Sequence, residues 1–194
     1  MTRVPEPSRE QLDPSTRAIY DRIAATRGGL RGPYGVLLNH PALCEHVAAL
    51  GEQLRFHSVL SGADRELAIL AAGREAESPY EWAAHEPIAL REGTRPEAIA
   101  IVRDGAPTRG LRPREALIVD TVRAIYRAHR LSSDEFTRAE AELGRQRLIE
   151  LVTLAGYYGM IAGILNAFEV DLPPGAAAPA FARRDAGGPG PKRE

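Results

Sequence analysis

The sequence predicts an all-α fold, and three observations carry the prediction. Prolines stand where helices begin, at Pro14, Pro41, Pro79, Pro96 and Pro113. The first helical turn tolerates proline because its amide hydrogens have no intrahelical partner. Apolar residues then recur at helical spacing, as in Leu43, Val47, Leu50 and Leu54. No stretch alternates apolar and polar residues as a half-buried strand does, and no period suggests a solenoid.

The elements follow in order. Residues 1–12 read as a flexible polar lead. Asp13-Pro14 opens a helix with Ile19, Tyr20, Ile23 and Ala24 on one face, ended by Gly28-Gly29. Residues 31–35, with two glycines and a proline, read as a loop, and Asn39-His40-Pro41 starts the next helix. Ser61 to Asp64 is a capping start for a helix through Ala76, so rich in alanine that burial on most sides is expected. Ser78 caps and Pro79 begins a helix over 80–92, stopped by Gly93. A short segment follows, with Thr94 as expected cap and Glu97 reaching back. Arg112-Pro113 opens a long helix to about Arg130, and Ser132 to Glu135 caps another through about Leu143. The last helix covers 145–168 and carries no charge over residues 151–165. Pro173-Pro174 stops the fold, and 174–194 reads as a disordered tail of Ala, Gly, Pro and charge. One domain, 13–173, is expected, and 194 residues suffice for a substantial core.

Composition narrows the function. A net charge of −1 offers no nucleic-acid footprint and no polybasic membrane surface. No apolar run looks long enough to span a bilayer, and the first residues lack a signal-peptide stretch, so no membrane partner and a cytoplasmic location are expected. Cys44 is the single cysteine, which excludes an intrachain disulfide or a CxxC couple; its apolar surroundings predict a buried thiol. His40, His46, His57, His85 and His129 are scattered without metal-ligand spacing, and no glycine-rich phosphate loop follows a strand. Neither a metal nor another cofactor is expected.

The chemistry concentrates in residues 65–93. Glu81 and His85 are four apart and share a helix face. If the preceding helix packs against theirs as a hairpin, Glu66 faces the same cleft. Two carboxylates and an imidazole can transfer protons near neutral pH. Around them, Ser78 serves as cap, Tyr80 and Trp82 follow it, and Arg55 and His57 precede the Glu66 helix. Arg55 has the fork to hold a substrate carboxylate. Each has a plainer reading as cap, core or surface residue.

This stretch resembles the carboxymuconolactone decarboxylase family, which includes the alkyl hydroperoxide reductase D-like proteins. Peroxidase members carry Glu, eleven residues, Cys, two residues, Cys, three residues, His. Here the frame reads Glu66, eleven residues, Ser78, Pro79-Tyr80, Glu81, three residues, His85, so both cysteines are replaced. Residues 150–173 resemble the closing helix of longer members, and the two stretches together span about 41–173. The resemblance implies an AhpD-like helical bundle of about six to seven helices. It implies a cofactor-independent lyase acting on a small carboxylated lactone or related acid. Glu66, Glu81 and His85 would be catalytic, and Arg55, His57, Ser78, Tyr80 and Trp82 would line the substrate site. Isomerisation or lactone hydrolysis would use the same residues. Two alternatives stay open: an AhpD-type antioxidant protein, against which the missing CxxC argues, and a non-catalytic helical oligomer that binds a small ligand. The small residues and two tyrosines of 151–165, with the family's habit, lead to an expected homo-oligomer, a trimer or a multiple of it.

Overall fold

A computed structural model of the chain describes residues 2–27 and 29–183. Among these residues are nine α-helices and no strand: α1 (Pro14–Arg27), α2 (Pro33–Leu37), α3 (Pro41–Phe56), α4 (Gly62–Glu75), α5 (Pro79–Arg91), α6 (Pro96–Arg103), α7 (Pro113–Arg127), α8 (Ser133–Leu143) and α9 (Arg145–Ala167). The all-α prediction holds, with more helices than the six to seven expected. The main addition is α2, whose turn-like composition reads as loop. Gly32 swings the chain round at φ 64 and the five residues that follow are all buried. Burial, invisible to local composition, decides the conformation there. The expected cap of α6 also differs. Arg95 is its N-cap, without a side-chain bond, while Thr94 donates its hydroxyl to the Ala63 carbonyl at 3.2 Å.

The central element is α4. It packs against α5, α6, α7 and α9, so residues 67–73 are buried without exception. Its alanines let the neighbouring helices close in. The turn to α5 is a Schellman motif: the Ser78 amide donates to the Gly73 carbonyl at 2.8 Å and the Glu77 amide to the Arg74 carbonyl at 3.2 Å. Glu77 occupies the left-handed position at φ 48, where glycine is usual. The side chain of Asn166 on α9 donates to the Ala76 carbonyl at 3.1 Å and steadies the turn. Ser78 then accepts from the Glu81 amide at 3.5 Å as cap of α5.

One side of α9, including Leu151, Leu154, Tyr157, Tyr158, Ile161 and Leu165, is buried within the chain, while Ile149, Val152 and Met160 are exposed. Tyr157 and Tyr158, which the sequence offered as surface suited to an interface, are buried within the chain. By length and composition α9 is sufficient to cross a bilayer, contrary to the reading of its uncharged middle alone. Half of its apolar stretch is buried inside the chain, as in a core helix.

In the lead, Arg9–Gln11 form a 3-10 turn, and Arg3 donates to the Ala167 carbonyl at 3.0 Å and through its amide to that of Phe168 at 2.8 Å. Of the tail read as disordered, 184–194 lie outside the described residues. Ala180–Arg183 form a 3-10 turn, and Phe181 stands edge-on to Trp82 with ring centroids 5.6 Å apart.

The left-handed Glu77 gives a test of the hairpin turn. A side chain there costs about 1–2 kcal/mol that glycine avoids, less glycine's entropy in the unfolded chain. Glu77→Gly should therefore raise the unfolding free energy by about 0.5–1 kcal/mol in urea titrations. A destabilised variant would contradict this turn geometry.

Candidate active site

The site follows from the register of the α4–α5 hairpin. At Gly73 the helices come so close that a Cβ there would sit 3.2 Å from that of Glu81. Two turns back along the same face of α4 is Glu66, and one turn further along α5 is His85. An antiparallel pair in this register brings the two side chains together. Glu66 Oε2 lies 2.7 Å from His85 Nδ1, with both residues buried. The other carboxylate oxygen, Oε1, is 3.4 Å from Arg65 Nε. Across the ring, His85 Nε2 lies 3.4 Å from Glu81 Oε2. That is within ion-pair range but without hydrogen-bond geometry, so Glu81 Oε2 is a buried acceptor with no hydrogen-bond partner among the described residues.

The two carboxyls are driven apart in acidity. Burial pushes Glu66 up, but the His85 hydrogen bond and charge, with the Arg65 and Arg55 charges, outweigh it and hold Glu66 below the ordinary carboxylate range. Burial also pushes Glu81 up, and the charges of His85 and Arg55 do not bring it back. An ionised Glu66 can only accept, so when the ring of His85 is neutral its one proton sits on Nδ1 and the Nε2 lone pair faces Glu81. The result is a base held in one tautomer beside a carboxyl disposed to keep its proton.

These groups open onto a cavity of about 450 Å³ lined by Arg31, Pro33, Tyr34, Arg55, Tyr80, Glu81, Ala84, His85, Tyr157, Tyr158 and Ile161, among others. Of the residues singled out from sequence, Arg55, Tyr80, Glu81 and His85 line it, and Glu66 stands directly behind His85. The guanidinium of Arg55 makes no hydrogen bond or ion pair with another described residue, and its charge reaches Glu66, Glu81 and Tyr158. His57, Ser78 and Trp82 are not brought to the cavity. His57 is the exposed C-cap of α3. Ser78 is fully occupied by the hairpin turn. Trp82 points into the core, its indole N–H donating to Glu86 at 3.0 Å. Sequence reasoning missed Tyr34, Tyr157, Tyr158 and Arg31. The signal for the α9 pair was two tyrosines in an otherwise aliphatic helix; α2, read as loop, gave none. Among the described residues no group of three or more His, Cys, Asp or Glu side chains is arranged to hold a metal ion.

Residues 41–119, from α3 into α7, match the sequence model of the carboxymuconolactone decarboxylase family. Two solved structures share the fold. One is an uncharacterized peroxidase-related protein from Ralstonia eutropha JMP134, described as an alkylhydroperoxidase AhpD core. It has a TM-score of 0.76 at 15% identity, over 89% of this chain and 93% of that one. The other is an uncharacterized peroxidase-related protein from Silicibacter sp. TM1040, with a TM-score of 0.70 at 14% identity, over 88% of this chain and 91% of that one. A comparison with curated proteins finds no match. Residues 41–119 are thus similar to the carboxymuconolactone decarboxylase family, and the chain shares the AhpD-like fold of the two solved structures. Within the matched residues, Ser78 and Glu81 stand at the two positions where the peroxidase frame has cysteines.

The opposed carboxyl shifts give the pH dependence of stability a sign on each side of the ordinary value of 4.5. Glu66, lowered on folding, contributes stability above 4.5 that is lost as pH falls through its folded value. Glu81, raised on folding, contributes stability below 4.5 that is lost as pH rises through its folded value. Urea unfolding across pH should show Glu81→Gln flattening the decline above 4.5 and Glu66→Gln flattening the acid limb below it. Parallel profiles for wild type and both variants would refute the assignment.

Proposed function

We propose that the cavity is the active site of an acid–base enzyme acting on a small carboxylated lactone or a related acid. The observation that carries this reading is the buried row Glu66–His85–Glu81, with contacts of 2.7 and 3.4 Å, opening onto a cavity walled by tyrosines. Carboxyls pushed apart by their surroundings are how one site supplies acid and base together. Glu66 stays ionised and holds the imidazole. His85 takes or gives the proton at Nε2. Glu81, which burial inclines to stay protonated, keeps a proton at hand 3.4 Å from His85 Nε2. Arg55, with Arg31 at the cavity wall, meets the substrate's anionic group.

In the decarboxylating form of the reaction, the bond between the carboxylate carbon and the ring breaks and carbon dioxide leaves. The electron pair stays on the substrate as an enolate. The proton of the Glu81–His85 pair adds to the enolate carbon, and solvent restores it. Isomerisation would use the same proton in both directions, and hydrolysis would use His85 to activate water.

An AhpD-type antioxidant function is the second reading, favoured by the peroxidase-related proteins that share the fold. Thiol chemistry needs an accessible low-pKa cysteine. Cys44 is fully buried, its thiol 3.9 Å from the Tyr34 carbonyl oxygen, and it is not among the residues lining the cavity. A peroxidase here would have to work without a cysteine couple.

Purified protein assayed on a panel of unsaturated lactone acids separates the readings. His85→Ala should lose about 10²- to 10⁴-fold in turnover, and Cys44→Ser should retain it. Turnover indifferent to His85→Ala would remove the site assignment. Hydroperoxide reduction abolished by Cys44→Ser would move the protein to the second reading. Lactone acids that shift the melting temperature without turnover would mark a binding protein.

A further inference from the structure

Four tyrosines line the cavity, and they use their hydroxyls differently. Tyr34 and Tyr157 are satisfied within the protein: their oxygens are 2.8 Å apart, and Tyr157 also donates to the Val47 carbonyl at 3.2 Å. Gly51 makes room for this pair, since a Cβ there would fall 2.2 Å from the Tyr157 hydroxyl. Tyr80 is half-buried at the Gly32 turn. Tyr158 is buried to 97% of its surface (3% remains exposed), yet its hydroxyl bonds no other described residue. A buried phenol normally finds a partner. Tyr158 borders the cavity, and its ring stands edge-on to His85, centroids 5.2 Å apart at 87°. Of the charges acting on it, Arg55 comes first and then Glu81 and Glu66. Four donors border the cavity without a hydrogen bond to another described residue, the hydroxyls of Tyr80 and Tyr158 and the guanidiniums of Arg31 and Arg55; of these Tyr158 is the buried one, and it stands against His85. A phenol and a guanidinium bordering one cavity suit an oxygen that gains negative charge.

We infer that Tyr158 is a further catalytic residue, whose hydroxyl donates a hydrogen bond to the substrate oxygen that becomes an enolate oxygen, with Arg55 on the cavity wall balancing the charge. This rests on the acid–base reading of the same site. No proton leaves Tyr158: the enolate oxygen accepts the bond while charge is on it and becomes a carbonyl again when the adjacent carbon takes its proton from the Glu81–His85 pair. Burial pushes the Tyr158 phenol far above its ordinary value, so it stays a donor throughout. Replacing it by phenylalanine keeps the ring against His85 and strands no protein partner, so the variant should fold as the wild type does.

The full chain, as wild type, Tyr158→Phe and Tyr20→Phe, is titrated with two probes. The first, 4-hydroxy-3-nitrobenzoate, carries a carboxylate and an ionisable phenol whose absorbance reports its charge; the second, 3-nitrobenzoate, lacks the phenol. Tyr158→Phe should weaken binding of the phenolate probe about tenfold or more, raise the bound probe's pKa and leave the second probe within about twofold. Tyr20→Phe, on α1 and not among the cavity-lining residues, should do neither. Equal losses for both probes, no loss for either, or no binding of either to wild type would overturn the inference. This arm needs no turnover, so failure of the lactone-acid panel is read separately. On any panel member that is turned over, Tyr158→Phe should lower kcat about 10²- to 10³-fold and change KM less than about threefold. A change in KM alone would reduce Tyr158 to a binding role and overturn the catalytic one.

Discussion

The contact on which the rest of the site depends is the buried hydrogen bond between Glu66 and His85. A carboxylate withdrawn from water is costly unless it is paired and bonded, and removing one partner of such a pair typically costs about 3–5 kcal/mol. The fold meets that demand from several directions. Gly73 lets α5 approach α4 closely enough for the two side chains to meet. Arg65 takes the second oxygen of Glu66, and the charge of Arg55, on the cavity wall, adds to it. The Schellman turn, Ser78 as cap and Asn166 reaching from α9 fix the register in which the pair forms.

With that pair in place, the neighbouring groups acquire separate roles. Glu81 sits one turn from His85 on the same helix, but without the bond that lowers Glu66, and burial leaves it inclined to stay protonated. Arg55 and Tyr158 leave their donors uncommitted where substrate would lie, whereas Tyr34 and Tyr157 close the wall between α2, α3 and α9. Positions that hold cysteines in the family's peroxidase frame therefore carry a turn-forming serine and a buried acid. Neither position carries a thiol, which is the observation the acid–base proposal starts from.

Much of this was legible in the sequence because it is local. Pro79 after Ser78 announces a helix start, four-residue spacing sets Glu81 and His85 on one face, and the alanine-rich stretch after Glu66 announces a buried partner helix. The hairpin follows from those facts together. What was not legible depends on tertiary burial. The segment Pro33–Leu37 has the composition of a loop and becomes helical because all five of its residues are buried. Trp82 and Tyr80 are two residues apart, about 200° round the helix, so one enters the core and the other the cavity. Periodicity separates the two sides without saying which is which. Tyr157 and Tyr158 are adjacent, uncharged and amphipathic, a composition that suits an interface as well as a pocket, and only the packing of α2 and α3 over them decides.

The central claim is that Glu66 holds His85 in the tautomer that leaves Nε2 free to exchange a proton. Nitrogen-15 NMR of histidine-labelled protein reads that state directly, with His85→Ala identifying the resonance. The account predicts a neutral His85 with its proton on Nδ1 and an unprotonated Nε2, the preference collapsing in Glu66→Gln. A neutral His85 protonated on Nε2, or a tautomer balance indifferent to Glu66→Gln, would contradict it.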